Sequence, residues 1–173
     1  LCVVLKLDIE TIKSLYNDLV YLATKNGVFL KMTRYHNIVL KKILYYPDAY
    51  KKVNNRLHIG ITIFPNKHLI VNKWNSNEEL IHDLHCTFNI PFYTKYNSIK
   101  NKKLAIDGSI SLNLNKYPQN TIFIGMGDNY NIDGGLSTKE CTYPLEGKQF
   151  TTIIKKGYDL TNNYEHNSNN IIT

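Results

Sequence analysis

The sequence predicts an α/β layered domain, because helical and strand-like patterns alternate along its 173 residues. Three observations support this prediction. Apolar residues recur at helical spacing in two early segments, an alternating strand with a hairpin partner follows them, and a capped helix then precedes two short apolar strands. A last helical pattern closes this order. We find no internal repeat, and no linker divides the chain into two domains.

The first helix is predicted in the segment DIETIKSLYNDLVYLATKNG. Its apolar residues recur three or four positions apart, Asp8 is a suitable N-cap, and Gly27 follows its last turn. A second helix is predicted over YHNIVLKKILYY and ends before Pro47. A short third helix is predicted over PDAYKKVNN, with Pro47 in its first turn.

The segment RLHIGITIF is predicted to be a strand, because its apolar residues alternate on one face: Leu57, Ile59, Ile61 and Ile63. After the turn-like PNK, HLIVNKW is its expected hairpin partner. SNEELIHDLHCTF then opens a helix with a capping box. Ser76 is expected to accept from the backbone N–H of residue 79, while Glu79 reaches back to that of residue 76.

The second half of the chain is predicted to contain two short strands and one helix. KLAID and NTIFIGM are the strands, and GMGDNYNIDGG between the latter and the helix is interpreted as a surface loop. GKQFTTIIKKGYDL is the closing helix. The polar segment 161–173, TNNYEHNSNNIIT, is predicted to be a disordered tail.

Charge and cysteine content limit the classes of function. The formal net charge is +7, which favours anionic partners, but the basic residues are scattered in pairs and the aromatic residues do not cluster with them. The sequence therefore predicts no nucleic-acid partner. Three cysteines without CxxC spacing argue against a disulfide framework or a zinc site and suggest a reducing, cytoplasmic location. No apolar segment reaches the length of a membrane span.

Asp107 lies where the apolar run KLAID meets Gly108 and small polar residues. Asp-Gly is a common turn pair, and from spacing alone the turn is the favoured interpretation. Functional carboxylates in α/β folds also lie just past the ends of buried strands, where they can face a pocket. Gly108 would let a backbone or a substrate approach closely, and it permits a positive φ.

Two other groups of residues could carry chemistry. His82, His85 and Cys86 in HDLHC could approach one metal ion from a helix, but without a second cluster they are expected to be core or half-buried residues. We therefore predict no metal and no cofactor. Ser109 and Ser111 are possible nucleophiles, but neither lies in a G-x-S-x-G elbow, and the sequence contains no such elbow.

Taken in order, these segments resemble the patatin-like phospholipase domain, in particular its adiponutrin-like branch. RLHIGIT resembles the inner strand of that family, and NSNEELIHDLHCTFNIPFY its serine-opened helix followed by an apolar-Pro turn. LAIDGSIS resembles the strand and D-G-[GA] motif, with Ser109 in place of the usual Gly or Ala. NTIFIGM resembles the next strand, and FTTIIKKGYDL the closing helix.

This resemblance implies a three-layer α/β/α domain of which residues 1–160 form the C-terminal two-thirds. It implies hydrolysis of phospholipid or acylglycerol esters by a Ser-Asp dyad, without a cofactor, at the surface of a membrane or lipid droplet. Asp107 would be the proton acceptor and Gly108 part of the D-G motif. The nucleophilic serine and the oxyanion loop are absent from the sequence, so we expect a fragment that is inactive alone.

Two other classes of function remain open at this point. A non-catalytic lipid-surface or protein-binding derivative would have lost its nucleophile, and its charge and many tyrosines would suit an anionic interface. It would bind vesicles without ester turnover. A nucleic-acid-binding module is suggested only by charge and aromatic content, and a flat titration with DNA or RNA at low salt would exclude it.

Overall fold

The computed structural model describes residues 1–113 apart from residues 3, 46, 92, 96 and 97. Beyond them it describes the backbone of residues 124–125 and 132–133 and four single positions between 152 and 159. The chain forms two compact units, Leu1–Leu114 and Asn115–Thr173. Each unit is described by itself.

The first unit begins with helix α1, Ile9–Asn26, which has the predicted ends. Asp8 Oδ1 accepts a hydrogen bond from the backbone N–H of Thr11 at 2.8 Å, and the N–H of Gly27 donates to the carbonyl of Ala23. Gly27 has a φ of 77°, which a residue with a side chain rarely adopts. The N-cap and the glycine stop are therefore confirmed.

Helix α2, Met32–Ile43, begins three residues before its predicted segment and ends three residues before the segment does. Helix α3, Ala49–Val53, lies inside its predicted segment. Pro47 precedes the N-cap of α3, Asp48, so it lies before this helix rather than in its first turn. Helix α4 is Asn77–Thr87, with Ser76 Oγ accepting from the N–H of Glu79 at 3.3 Å.

The capping box of α4 differs from its predicted form by one residue. The Glu79 carboxylate accepts from the backbone N–H of Asn75 at 2.7 Å, not from that of Ser76. The same carboxylate also accepts from the side-chain amide of Asn75 at 3.1 Å. Glu79 therefore bonds to Asn75 and not to Ser76, because Asn75 offers two donors, one from its backbone and one from its side chain.

Four strands form one antiparallel sheet in the order β2-β1-β4-β3. They are β1, Ile59–Ile63; β2, Lys67–Val71; β3, Ser98–Lys100; and β4, Lys103–Asp107. The hairpin of β1 and β2 is confirmed, and β3 is an element that the sequence did not predict. Helix α4 packs against β1 and β4, and the core buries apolar residues from helices and sheet together. A mixed α/β class is thus confirmed.

The second unit contains a parallel pair of two-residue strands, β5, Ile124–Gly125, and β6, Ile132–Asp133. β5 lies in the predicted strand NTIFIGM. β6 lies in the predicted surface loop, so that prediction is wrong at these two residues. The rest of the loop and the predicted tail, residues 161–173, lie outside the described residues.

Four described positions fall within the predicted closing helix, and all four have helical backbone: Thr152, Lys155, Lys156 and Asp159. The other residues of this prediction are not among those described. Within the described part of the chain, no helix has both the length and the apolar character needed to cross a membrane.

Candidate functional site

Asp107 is the last residue of β4, and a short 3-10 turn, Gly108–Ser111, follows it directly. Its carboxylate is partly buried. Oδ1 accepts hydrogen bonds from the backbone N–H of Ser109, at 2.8 Å, and from the Ser109 hydroxyl. Among the described residues, Oδ2 has no hydrogen-bond partner. One oxygen therefore caps the turn, and the other remains available to accept a proton.

The backbone of Asp107 is held by two residues that are distant in sequence. Its N–H donates to the carbonyl of Asn89 at 3.2 Å, and its own carbonyl accepts from the hydroxyl of Thr62 at 2.7 Å. Asn89 and Thr62 are both buried. Because both backbone groups are bound within a packed interior, the carboxylate leaves the end of β4 in a defined direction.

Asn89 is itself fixed on both sides of its amide group. Its Nδ2 donates to the carbonyl of Ala105 at 2.6 Å, and its Oδ1 accepts from the hydroxyl of Thr94 at 2.6 Å. Sequence reasoning missed this residue, although an Asn between the apolar residues of FNIPF is a usable signal. A polar side chain in such a segment must find partners when it is buried.

Gly108 is required by a close approach of two backbones. A Cβ atom at this position would lie 2.2 Å from the carbonyl oxygen of Gly60 in β1 and 2.9 Å from its Cα. The close approach that the sequence suggested is therefore present, and the group that approaches is backbone. The positive φ that glycine permits is not used, because Gly27 is the one glycine with positive φ among the described residues.

A chain of polar side chains connects the 3-10 turn to the hairpin. Thr62 Oγ1 lies 2.8 Å from Ser111 Oγ, and Ser111 Oγ lies 3.0 Å from His68 Nδ1. The N–H of Ser111 also donates to Thr62 Oγ1 at 3.2 Å. Neither Thr62 nor His68 is predicted from the sequence as a residue of this site. The two come together because the register of β1 and β2 pairs them directly.

Each serine hydroxyl of the turn lies within hydrogen-bond distance of a possible base, but neither serine has its own backbone N–H free to stabilise an oxyanion. A nucleophilic serine in an acyl hydrolase uses nearby backbone N–H groups to stabilise the oxyanion. Here the N–H of Ser109 is bound to Asp107, and the N–H of Ser111 is bound to Thr62. Both serines therefore support the turn, in agreement with the absence of a G-x-S-x-G elbow.

The cluster on α4 differs in membership from the predicted one. His82, Asp83 and Cys86 place possible ligand atoms within 4.8 Å of one another, whereas His85 Nε2 lies 2.8 Å from Asn37 Oδ1. Burial, and then the charge of Asp83, raises the pKa of the Cys86 thiol to about 11, so near neutral pH the buried sulfur is a protonated thiol.

Asp83 has cationic and neutral donors that satisfy its carboxylate. Its side chain is 1% exposed, and it accepts from Lys100 Nζ at 2.6 Å and from Trp74 Nε1 at 3.0 Å. The ammonium group of Lys100 contacts Oδ1, the same carboxylate oxygen that lies 3.2 Å from His82 Nδ1. The contacts fit a buried ion pair that joins α4 to β3.

Comparison of the chain with models of protein families, with curated proteins and with solved structures found no match in any of the three. The resemblance to patatin-like domains therefore rests on the ordered motifs of the sequence.

Proposed function

We propose that this chain supplies the aspartate of a patatin-like lipid acyl hydrolase, within a three-layer α/β/α fold of which it forms the C-terminal two-thirds. The placement of Asp107 carries this proposal. A carboxylate at the end of a central strand, with a clamped backbone and one oxygen without a partner among the described residues, has the form that a general base requires.

The nucleophile would be a serine that these 173 residues do not supply. Its Oγ attacks the carbonyl carbon of the lipid ester while its proton passes to Oδ2 of Asp107. The tetrahedral intermediate then expels the alcohol, which takes the proton from Asp107. In the second half, Asp107 accepts a proton from water as the water oxygen attacks the acyl carbon. Asp107 then returns that proton to the serine Oγ as the acyl–Oγ bond breaks, which releases the fatty acid and restores both residues.

The surroundings of Asp107 support this role in two ways. The bonds from Ser109 bind Oδ1 alone, so the carboxylate cannot rotate freely and Oδ2 keeps one direction. Gly60 and Gly108 bring two backbones together directly beside it, since a Cβ on Gly108 would lie 2.2 Å from the carbonyl oxygen of Gly60, and this contact fixes the end of the strand. Phospholipid or acylglycerol esters are the proposed substrates, in the cytoplasm at membranes or lipid droplets.

A second candidate is a lipid-surface or protein-binding derivative without catalysis. It is favoured by the absence of a G-x-S-x-G elbow from the sequence and by the structural use of both serines near Asp107. In that case Asp107 caps the 3-10 turn and has no catalytic role.

Hydrolysis of a fluorogenic short-chain ester distinguishes the two candidates. The 173-residue chain is compared with a form extended upstream in its coding region, and Asp107→Asn is introduced into whichever form is active. Asn keeps an Oδ1 that can accept from Ser109, so the cap persists while the base is lost. Asp48→Asn, which changes an exposed carboxylate of a surface pair, is the matched control.

We expect turnover in the extended form, a loss of about a thousandfold in Asp107→Asn, and normal activity in Asp48→Asn. A folded extended protein without turnover would contradict the proposal and favour the second candidate. Retention of activity in Asp107→Asn would leave a hydrolase in which another group is the base.

A further inference from the structure

A groove with four basic residues opens beside the turn between α1 and α2. It has a volume of about 550 Å³, and its basic lining residues are Lys31, Arg34, Lys41 and Lys95. Among the described residues that line it, none is acidic. We refer to these four residues and the space between them as the basic groove.

Two of the four cations in the basic groove differ from those surface lysines of the unit that are paired with carboxylates. Elsewhere in the unit, Lys13, Lys42 and Lys51 each pair with a carboxylate: Glu10, Asp18 and Asp48. Arg34 and Lys41 form no ion pair with any described residue. They lie seven positions apart on α2, which places them on nearly the same face of the helix.

Two large apolar side chains lie in the turn directly before this groove. Phe29 is 65% exposed and Leu30 is 43% exposed, and Leu30 also lines the groove. Leu30 has a φ of 57°, in the left-handed region that is unfavourable for a bulky residue. The chain therefore accepts both backbone strain and exposed apolar surface at the same turn.

We infer that the basic groove and the Phe29–Leu30 turn together dock the protein on an anionic phospholipid membrane. The phosphates and carboxylates of the lipid headgroups would bind the cationic side chains, and Phe29 and Leu30 would enter the apolar boundary beneath the headgroups. Exposed apolar and basic residues side by side match the two layers of that interface. Phe29 also offers a ring on which a base could stack, so a single-stranded nucleic acid is the alternative occupant that an oligonucleotide competitor tests.

This inference rests on the proposed function only for the lipid nature of the partner, and it specifies the face that meets the lipid. It is tested without catalysis, by sedimentation of the whole chain with vesicles. One set is phosphatidylcholine, and the other contains about a quarter phosphatidylserine. Inorganic phosphate and a single-stranded oligonucleotide are added as competitors.

We expect binding to the anionic vesicles that weakens with added salt and is much lower on phosphatidylcholine alone. Arg34→Gln together with Lys41→Gln should lower the affinity about 25-fold, since each charge near the surface is worth about a fivefold change. The control pair, Lys67→Gln with Lys103→Gln, removes two exposed charges from the sheet and should change it by less than about threefold.

Phe29→Ser tests the apolar half of the surface. It should lower the affinity about tenfold while leaving the salt dependence of binding unchanged, because it removes apolar contact and no charge. An equal loss in the control pair, displacement of the vesicles by millimolar-range phosphate, or binding of the oligonucleotide in preference to vesicles would each overturn the inference. Ester turnover without vesicle binding would contradict the docking surface and leave the proposed function standing. Vesicle binding without ester turnover would support the docking surface and contradict the proposed function.

Discussion

Asp83 and Asp107 are two carboxylates of one folded unit with opposite surroundings. Asp83 is 1% exposed and accepts from Lys100 and Trp74, which come from other parts of the fold, and its Oδ1 lies 3.2 Å from Nδ1 of the neighbouring His82. Asp107 is partly exposed, and among the described residues its side chain accepts only from Ser109, two residues ahead. Both oxygens of the Asp83 carboxylate are hydrogen-bonded in the interior, whereas Oδ2 of Asp107 is bound by no described residue.

The difference shows why burial alone is a poor guide to a functional carboxylate. Both carboxylate oxygens of the buried Asp83 are bound, Oδ1 by Lys100 and Oδ2 by Trp74, so neither is open to a substrate. The backbone N–H and carbonyl of Asp107 are both hydrogen-bonded, so its side chain has a fixed direction. One of its carboxylate oxygens has no partner among the described residues and could still bind another group. The comparison assigns a stabilising role to Asp83 and leaves a chemical role for Asp107.

The largest expected effect is the loss of stability in Asp83→Ala. Removing this carboxylate leaves the ammonium of Lys100, which is 26% exposed, without its anion, and we expect a decrease of about 4 kcal/mol in the free energy of unfolding. Urea denaturation measures it. Asp83→Leu with Lys100→Met should recover most of the loss, and a double variant as unstable as the single one would show that the ion pair is not its cause.

A smaller effect of about 3 kcal/mol is expected for Gly108→Ala, because the added Cβ would meet the backbone of Gly60 and the strand end would have to move. Gly60→Ala is the matched control. Its Cβ would first meet the His68 ring at 3.1 Å, a side chain that can shift. Urea denaturation of both variants measures whether Gly108→Ala loses more stability than Gly60→Ala. Equal decreases in the free energy of unfolding would show that Gly108 is no more restricted than Gly60.

His36 is a third titratable group of the same unit, and it is expected to make the stability depend on pH. Burial, and secondarily the charge of His85, lowers the pKa of His36 to about 4, and its buried Nδ1 has no hydrogen-bond partner among the described residues. Between about pH 6.5 and pH 4 the unfolded chain therefore binds a proton that the folded chain does not. Stability should decrease by about 2 to 3 kcal/mol as the pH falls through this range.

His36→Leu should remove most of that pH dependence, as measured by urea denaturation at several pH values. The exposed His58, changed to Gln, is the control and should leave the dependence intact. A dependence that persists in His36→Leu would assign the acid sensitivity to carboxylates instead.

The smallest expected effect is that of Asp107→Ala on stability. It removes one turn cap and should cost about 1 kcal/mol, comparable with Asp8→Ala at the N-cap of α1. Thermal denaturation compares the two variants. A loss as large as that of Asp83→Ala would mean that Asp107 is a packing residue, and the proposed base would lose its support.

Much of the first unit could be predicted from local patterns. The apolar spacing and Asp8 cap of α1, the alternation in β1 and the serine cap of α4 are all carried by residues within one turn or one strand. The strand that ends at Asp107 was also predictable. Local patterns do not contain β3, which has three residues and exists because it pairs with β4.

The clamps around Asp107 could not be predicted because they join residues that are far apart in sequence. Thr62 reaches Asp107 across 45 positions and Ser111 across 49, and both contacts depend on the antiparallel register of β1 and β4. A shift of one residue in that register would turn Thr62 to the other face. Lys100 and Asp83 meet for a similar reason, through the placement of β3 beside α4.

Asn89 gives the end of β4 an unusual neighbour. β3 pairs with β4 only from Lys103 to Ala105, and beyond that point Asn89 takes the next two hydrogen bonds, giving one to the carbonyl of Ala105 and receiving one from the N–H of Asp107. Asn89, which follows α4, thus makes the two hydrogen bonds to β4 that a further residue of β3 would make. The amide hydrogen of Asp107 is consequently shielded by the docking of the end of a helix, and its exchange with solvent reports when that helix end lifts from the sheet.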